Sequence, residues 1–299
     1  MPSSSTTQVQ LSVIIACRNG RRTIRRCLDS LAAQKTTSSF EVIVSDSSTD
    51  GTDRIIRDGY PWVRLLHFET RKFPGDARNA GIREARGQLL AFIDSDCVAA
   101  PDWLEQMMAA QRGSDTTVGG VVDNGARGRL LDWAGYFCEF SQWMPPGRPC
   151  WMDDIPTCNL SLHRKLFDEF GPFLEGAYCS DTALHWKLAR SGRRARFVPA
   201  IRVAHHGLER LGSFAGHERF HGESFARLRV KDRKFGLGKR FLYFCGAPAL
   251  PALLWLRIAR RVLRNRRYLR EFVLATPLLL LGLAAWSLGE ARGYLRGGR

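Results

Sequence analysis

The chain lacks several features that define common classes of protein. Its eight cysteines form no Cys-x-x-Cys pair, so a structural zinc site is not expected. No Gly-rich loop ending in Gly-Lys-Ser/Thr occurs, which argues against an ATPase. The first ten residues are polar, without a basic start followed by an apolar stretch, so no signal peptide is predicted. We therefore expect a chain in a reducing cytosol, with most of its cysteines buried as small hydrophobic side chains.

Acidic residues are also scarce, and the deficit is concentrated at one end of the chain. The net charge of +16 arises from 45 Lys and Arg against 29 Asp and Glu. Residues 231–299 hold 15 basic and 3 acidic residues, which leaves a net charge of only +4 on the first 230. Because this excess surrounds apolar segments, and no basic face interleaved with aromatics is seen in the body, we expect an anionic membrane and no nucleic acid as a partner.

The sequence does contain a regular alternation of strand-like and helix-like segments. Short apolar runs rich in β-branched residues are typical of buried strands, and they occur at 11–16, 40–44, 63–68 and 88–93. Helical spacing of apolar residues separates them, at 23–34, 53–58 and 75–85. This alternation predicts an α/β fold with a mostly parallel sheet and helices on both faces.

The second half of the chain is less regular. Helices are predicted at 162–170 and 181–191, followed by a strand at 195–198. The segment 123–156 is rich in Trp and Pro, and it predicts an irregular, aromatic-lined lobe.

Three polar clusters follow predicted strands directly. They are Ala16-Cys-Arg-Asn19 after the first strand, Ser45-Asp46 after the second, and Asp94-Ser-Asp96 after the fourth. In open parallel sheets, ligands bind beyond the carboxyl ends of the strands. Two carboxylates one residue apart at such an end can hold a hard divalent cation, which assists the departure of a phosphate as a Lewis acid. A solvated turn is the alternative for any Asp-x-Asp taken alone.

These segments together resemble the family-2 glycosyltransferases with the GT-A fold. The order and spacing match in Ser12-Val-Ile-Ile-Ala-Cys-Arg-Asn19, in Glu41 to Thr52, in Ala77-Arg-Asn-Ala-Gly81 and in Leu90-Ala-Phe-Ile-Asp-Ser-Asp96. Cys158-Asn-Leu-Ser-Leu, Phe167 to Gly171, Ser180-Asp181 and Pro199 to His205 are similar to the second half of that family. The resemblance covers residues 11–206. It implies a nucleotide-diphospho-sugar transferase fold, a Rossmann-like mixed sheet with flanking helices.

The resemblance implies a nucleotide-sugar site at the strand ends. Asp46 matches the acidic residue that accepts a hydrogen bond from a base such as uracil, and Asx turn capping is the alternative. Ala16 and Arg18 lie beside the base pocket, and Arg78 lies near the diphosphate, unless these arginines form surface ion pairs. Arg219, between His217 and His221, is a candidate to close over the diphosphate.

The resemblance also implies a metal, Mn²⁺ or Mg²⁺, and a UDP-sugar donor. Asp94, with Ser95 beside it, matches the position that contacts ribose or metal, and Asp96 matches the direct metal ligand. His205, six residues after Pro199, matches a histidine that completes the metal shell, and the adjacent His206 is the competing ligand.

Asp181 matches the catalytic base of the family. Inverting transfer is a single displacement at the anomeric carbon, and it needs one carboxylate to take the proton of the acceptor hydroxyl. Capping of the predicted helix is the alternative, and both roles can hold at once. The family's usual pair is Glu-Asp, so Ser180 is a departure that bears on the acceptor more than on the reaction. Asn159 matches an acceptor-pocket position, and Trp151 is assigned to the same pocket.

Residues 233–299 form a basic and hydrophobic tail after a disordered N-terminus at 1–10 and a catalytic domain at 11–232. Two uncharged stretches, 241–256 and 272–289, flank a linker with seven arginines. A spanning helix needs about 20 residues, and a two-span hairpin would place the arginines outside, against the positive-inside tendency. We therefore expect a monotopic or re-entrant anchor on the cytoplasmic face of the membrane. The alternatives are a true hairpin and a soluble helical pair for dimerisation.

The sequence thus predicts an inverting, metal-dependent glycosyltransferase that moves a sugar from a UDP-sugar to a lipid-linked or glycan acceptor at the membrane. The product would be a cell-envelope glycan, polysaccharide or glycolipid. One alternative is a sugar nucleotidyltransferase, although the loop Cys17–Arg22 holds only one Gly. The other is a non-enzymatic basic module that binds membranes.

Overall fold

The computed structural model describes residues 9–207 and 210–297. The segment 1–10, predicted to be disordered, lies outside the described residues except for its last two. The chain divides into two compact units. The first comprises Met1–Val121, Arg148–Gly176 and Ser180–Ala204, and the second comprises Val122–Gly147, Ala177–Cys179 and His205–Arg299. This division differs from the predicted boundary between residues 232 and 233.

Nine strands form one mixed sheet in the described residues. They are β1 (Leu11–Cys17), β2 (Phe40–Asp46), β3 (Val63–His67), β4 (Leu89–Ile93), β5 (Cys97–Ala99), β6 (Val118–Asn124), β7 (Cys150–Met152), β8 (Asn159–His163) and β9 (Ala195–His205). The strand order is β3-β2-β1-β4-β8-β6-β9-β5, and β7 pairs with β9. The first four strands are parallel, and β8 runs antiparallel to β4 and β6.

Eleven α-helices are present in the described residues. They are α1 (Ile24–Ala32), α2 (Thr52–Gly59), α3 (Pro74–Glu84), α4 (Trp103–Gln111), α5 (Leu130–Phe140), α6 (Lys165–Phe170), α7 (Ser180–Arg190), α8 (Leu211–Asp232), α9 (Leu237–Gly246), α10 (Leu250–Asn265) and α11 (Leu269–Arg296). A short 3-10 turn, Ala247–Ala249, joins α9 to α10.

The first unit is built on the parallel strands. β1 is buried almost throughout because Leu11, Val13, Ile14 and Ile15 have no exposed surface. Helix α3 packs closely on this strand, since a Cβ at Gly81 would lie 2.6 Å from Ile14 Cγ2. The register aligns Cys17 with Asp46. The ends of β1 and β2 therefore meet at one edge of the sheet, as the predicted mixed, mostly parallel GT-A sheet requires.

The second unit is built around α11. This helix packs mainly on α8 and α5, and its approach to α8 is close because a Cβ at Gly289 would lie 2.0 Å from the Arg219 carbonyl oxygen. Polar contacts add to this packing: Trp286 Nε1 donates to Glu290 at 2.7 Å, and Ser287 Oγ donates to the Ala247 carbonyl at 2.6 Å. The tail therefore shares a core with α8 and α5, which explains why the unit boundary precedes residue 233.

Three features differ from the sequence predictions: helix α5, helix α8 and the strand at Leu162. The segment 123–156 contains the regular helix α5, and the long helix α8 was not predicted. Leu162 lies in strand β8 and not in a helix, since its backbone pairs with Leu90 of β4. Pro277 lies inside α11, which continues through it as one helix.

Two helical segments are long and apolar enough to cross a membrane by length and composition. They are Leu237–Asn265, with a mean hydropathy of 1.5, and Leu269–Arg296, with a mean hydropathy of 1.9. Only 11% of the first apolar window is buried, against 44% of the second. Many of their leucines are therefore exposed, among them Leu242, Leu263 and Leu288.

Candidate active site

Asp46 ends strand β2 and is fully buried. Its carboxylate accepts hydrogen bonds from the Ser48 hydroxyl, from the Ser48 backbone N–H at 3.3 Å, and from His67 Nδ1 at 2.7 Å. The bond to the N–H two residues on is an Asx turn, which was the alternative prediction for this residue. Contact with a nucleotide base therefore requires Asp46 to exchange one of these partners.

The Asp-x-Asp segment follows β4 in a tight turn. The Asp94 carbonyl accepts from the Cys97 N–H at 3.0 Å, and the Asp94 carboxylate is held by Arg78 Nη2 at 2.8 Å. Arg78 is 5% exposed, whereas the Asp94 side chain is 32% exposed, so one side of this ion pair faces solvent. Asp96 is partly exposed, and Cys97 Sγ lies 3.9 Å from its Oδ1. The Asp96 carboxylate thus provides an accessible hard oxygen donor of the kind that Mn²⁺ or Mg²⁺ takes.

The loop after β1 lies against the Asp-x-Asp turn. A Cβ at Gly20 would lie 2.8 Å from Cys17 Sγ and 3.4 Å from Ser95 Oγ, so glycine permits this contact. Burial, assisted by the charge of Asp46, raises the pKa of the Cys17 thiol to about 12. This thiol is therefore neutral at physiological pH, and it acts as packing beside the two loops.

Arg18 is exposed at the end of β1, next to the partly exposed Ala16. Partial burial and then the nearby charge of Arg71 lower the pKa of the Arg18 guanidinium. Two cations that repel each other in this way suit an anionic ligand. Arg71 was not predicted from the sequence, because it follows β3 without a motif that marks it.

Asp181 lies in the first turn of α7. Its Oδ2 accepts from Thr157 Oγ1 at 3.3 Å, and its Oδ1 accepts from the Thr182 N–H at 2.9 Å. One turn later, His185 Nδ1 donates to the Asp181 carbonyl oxygen at 3.0 Å, and His185 Nε2 lies 3.2 Å from the Thr117 hydroxyl oxygen. The carboxylate remains partly exposed. This position fits both a helix-capping role and a proton acceptor.

Helix α3 links the predicted base to the Asp-x-Asp turn. A Cβ at Gly75, in the first turn of α3, would lie 2.9 Å from both side-chain atoms of Ser180. Arg78, one turn further along the same helix, holds Asp94. The structure therefore brings Ser180, the residue before Asp181, and Asp94 to the same short helical segment, although their sequence separation is large. Sequence reasoning found these carboxylates but not Thr157 or Gly75.

The two predicted acceptor residues have different surroundings. Asn159 is fully buried in β8, where its side chain accepts from Trp103 Nε1 at 2.8 Å and donates to the Val121 carbonyl at 2.9 Å. Its amide is thus used within the sheet, which does not fit the predicted acceptor contact. Trp151 lies on β7 and is 57% exposed, so its ring is available to a ligand.

His205 ends β9 and belongs to the second unit. Its Nδ1 accepts from the Gly207 N–H at 3.2 Å, and its ring packs on Phe140 with centroids 4.6 Å apart. A neutral ring that accepts at Nδ1 carries its proton on Nε2. Coordination through Nε2 would therefore require the Gly207 contact to open. The competing ligand His206 lies over Gly125, where a Cβ would be 2.4 Å from its Nε2.

Near His205, the second unit contains a small cavity of about 20 Å³. Asn124, Tyr136 and Glu139 line it together with His205. The Asn124 Nδ2 is buried and has no hydrogen-bond partner within the described residues. This donor was not predicted, although its position at the end of β6 follows the same pattern as the other polar residues after strands.

Arg219 lies on α8 with an exposed side chain. Its neighbours His217 and His221 have the His-Glu-x-x-His spacing of zinc peptidases. The structure gives these rings other partners. His217 Nε2 lies 3.2 Å from the Tyr178 hydroxyl and 3.4 Å from Glu139, and the His221 ring packs on Trp286.

The fold and the carboxylates at the strand ends define a nucleotide-diphospho-sugar transferase of the GT-A class. The profile described as glycosyl transferase family 2 matches residues 12–165, about half of the chain. The chain belongs to this family.

Individual relatives agree with this assignment. The succinoglycan biosynthesis protein ExoO of Rhizobium meliloti is 37% identical over 115 residues, which cover 38% of this chain and 32% of ExoO. The mannosyltransferase PcManGT from Pyrobaculum calidifontis, solved with GDP-Man and Mn²⁺, superposes with a TM-score of 0.64 at 19% identity over 95% of this chain and 88% of that one. TarS residues 1–349 from S. aureus, solved with UDP-GlcNAc, give a TM-score of 0.52 at 17% identity over 96% and 91%.

The structural neighbours are less than 25% identical and establish the fold alone. The chain spans less than two thirds of the length of the first curated relatives it matches, 32% of one and 59% of another.

Proposed function

We propose that this chain is an inverting glycosyltransferase that moves a sugar from a nucleotide-diphosphate donor, UDP-linked, to an acceptor held at a membrane. The observation that supports this proposal is that α3 contacts both regions: Ser180, the residue before Asp181, lies against Gly75, and Asp94 is held by Arg78. The two regions supply a proton acceptor and a metal-binding edge within one unit of the chain.

Asp181 is the proposed base. It takes the proton of the acceptor hydroxyl while that oxygen forms its bond to the anomeric carbon and the bond to the diphosphate oxygen breaks. Thr157 and the Thr182 N–H orient the carboxylate by donating to its two oxygens. A base fixed by its neighbours in this way loses little entropy when the acceptor arrives.

Asp96 is the proposed metal ligand, with Asp94 and Ser95 beside it and His205 as the further ligand implied by the family resemblance. The accessible carboxylate of Asp96 fits a hard divalent ion. When bound, such an ion neutralises the charge that develops on the departing diphosphate. Arg78 keeps Asp94 in place at this edge, and Arg18 with Arg71 adds positive charge for phosphate oxygens.

The proposed donor and acceptor rest on the residues at the strand ends and on similarity to known proteins. Asp46 and Ala16 lie at the strand ends where the base of the donor would bind, and the neighbours solved with GDP-Man and with UDP-GlcNAc make both nucleotides candidates. Arg219 is proposed to approach the diphosphate and Trp151 the acceptor. The two apolar helices and the kinship with ExoO support a membrane-linked acceptor in the synthesis of envelope polysaccharide or glycolipid, on the cytoplasmic face.

A donor panel with two variants tests the proposal. Purified full-length protein should release UDP from one UDP-sugar faster than GDP from GDP-mannose, and only with Mn²⁺ or Mg²⁺. Asp181→Asn should lower the turnover by about 10²- to 10⁴-fold while nucleotide binding is kept, because only the proton acceptor is lost. Asp96→Asn should lower the turnover strongly, and the residual rate should no longer depend on added Mn²⁺ or Mg²⁺.

The exposed carboxylate Asp168 on α6 provides the matched control. Asp168→Asn should turn over at the wild-type rate. Undiminished transfer by Asp181→Asn would contradict the assignment of Asp181 as the base. Turnover in the presence of excess chelator would contradict the proposed metal dependence. Preference for GDP-mannose would correct the donor and leave the reaction class in place.

A further inference from the structure

The turn that joins α10 to α11 is fixed against residues 123–136 of the same unit. Tyr268 Oη donates to Asp123 Oδ1 at 2.6 Å, and its ring packs on Trp133 with centroids 4.8 Å apart. Arg127 donates to the Tyr268 oxygen at 3.2 Å and lies over its ring. Tyr268 has a φ of +60°, a conformation uncommon for a bulky residue. These contacts hold the turn in one place.

A cavity of about 290 Å³ opens beside this turn. Three arginines line it, Arg127, Arg129 and Arg270, and Glu271 is the one carboxylate among its lining residues. The aromatic rings of Trp133 and Tyr268 complete its polar end. The cavity lies wholly within the second unit, and the proposed catalytic function assigns it no role.

Two of the three arginines at this cavity are paired with carboxylates. Arg127 binds Asp123 at 2.9 Å, and Arg129 Nε binds Asp132 at 2.9 Å. The guanidinium of Arg270 makes no hydrogen bond or ion pair to any residue that the structure describes and is exposed, and the adjacent Glu271 is the one carboxylate that lines the cavity with it. Guanidinium groups present parallel donors that match the oxygens of a phosphate. The cavity therefore suits a phosphate group.

The rim of the cavity is apolar. Leu130 and Leu274 line it and are 43% and 49% exposed. Val273, which precedes Leu274 on α11, is 66% exposed. An inorganic ion has no apolar surface to bury against this rim, whereas burial of the acyl chains of an amphiphile there is favourable. A phosphate site with exposed leucines on its edge is thus complementary to an anionic lipid.

We propose that the cavity between α5 and the α10–α11 turn binds the phosphate of an anionic glycerophospholipid, with Arg270 as the principal contact and Leu130 and Leu274 against its acyl chains. The site fixes the second unit to the membrane surface at a defined point. Simple attraction of the basic tail to a charged surface would instead depend on the number of arginines and not on their position.

Flotation with vesicles tests this distinction. Full-length protein is mixed with phosphatidylcholine vesicles that contain or lack phosphatidylglycerol, at fixed ionic strength. Arg270→Gln should weaken binding to the anionic vesicles about tenfold or more, the loss expected for a charged hydrogen bond. Arg264→Gln is the matched control, because Arg264 is another exposed arginine of the same segment outside the cavity lining. It should change binding less than about fivefold, the effect of one unspecific surface charge.

Each other outcome contradicts the proposal. Equal losses in the two variants would show that only total charge matters. Unchanged binding by Arg270→Gln would remove the site. Displacement from the vesicles by inorganic phosphate, beyond that by chloride of equal ionic strength, would mean that the cavity takes free phosphate and not a lipid headgroup. The guanidinium of Arg270 has no partner to lose, so the substitution should not affect folding. Near-ultraviolet circular dichroism verifies that the variant is folded.

Discussion

Asp181 is supported by residues that lie far from it in the chain. Thr157, shortly before β8, donates directly to the Asp181 carboxylate. Thr117, just before β6, contacts His185, which in turn bonds to the Asp181 carbonyl. The local sequence Ser180-Asp181 predicts a helix start and nothing about these partners. The family pattern therefore predicts Asp181 as the base, whereas the residues that support its carboxylate depend on tertiary contacts.

His185 gives a pH-dependent test of this support. Burial lowers the pKa of His185, with the charge of Asp181 opposing the effect. Near its ordinary pKa of about 6.5, the unfolded chain therefore takes up a proton that the folded chain does not. The free energy of unfolding should fall as the pH drops below about 6.5, and His185→Gln should lessen this fall.

Urea unfolding at several pH values on both sides of the ordinary histidine pKa measures the effect. His163→Gln serves as the control, since His163 is partly exposed at the end of β8, and it should retain the wild-type pH dependence. An unchanged pH dependence in His185→Gln would show that the buried ring is not the source.

Individual residues also show where sequence reasoning ends. Asp46, Asp94 and Asp96 were located correctly at strand ends because parallel strands carry their loops to one edge. Asn159 also belongs to a polar motif, but Trp103 and the Val121 carbonyl take its side chain. Whether a polar residue faces a ligand or a neighbouring strand depends on partners that spacing alone does not identify.

At the scale of elements, the contact between α8 and α11 depends on glycine. A Cβ at Gly222 would lie 2.2 Å from the Trp286 carbonyl oxygen, which is backbone and cannot rotate away. Gly222→Ala should therefore lower the free energy of unfolding by about 1–3 kcal/mol, as overpacked sites do. Thermal or urea unfolding measures the change.

Gly216 is the matched control on the same helix, because a Cβ there meets nothing within 4 Å. Gly216→Ala should be neutral or stabilising by up to about 1 kcal/mol through its helix propensity. If both substitutions stabilise the protein, the two helices are not in close contact.

The elements were predicted unevenly, for physical reasons. The β-α alternation up to β4 was confirmed because buried parallel strands are continuous apolar runs. Helix α5 was missed because its aromatic residues are bounded by Gly and Pro and cover most of its surface, which hides a helical stripe. Helix α8 was missed because charges occur on all its faces, and its buried side is made partly of Gly222 and Ala226.

At the scale of the whole molecule, the position of the arginine linker decides between the two membrane arrangements. In a two-span hairpin, the turn between α10 and α11 lies across the bilayer from the rest of the chain. In the structure, Tyr268 of this turn binds Asp123, the residue before the end of β6. A cysteine placed at Arg266 should therefore be labelled by a membrane-impermeant maleimide from the same side as Cys150, which is exposed on β7.

Two variants make this comparison, each with a single reactive cysteine, one at 150 and one from Arg266→Cys. Membrane vesicles of both orientations are labelled. Parallel labelling supports helices that lie in the membrane surface. Labelling of the two positions from opposite sides would establish the hairpin.

The contact between Gly75 and Ser180 makes the side chain allowed at one position depend on the other. The family's usual glutamate at 180 would bring a carboxylate into a space where Ser180 is already fully buried and its hydroxyl has no partner among the described residues. The first turn of α3 and the Leu174 carbonyl close this space. A glutamate at position 180 therefore fits only if the surrounding backbone moves, so the close approach of α3 restricts this position to a small residue.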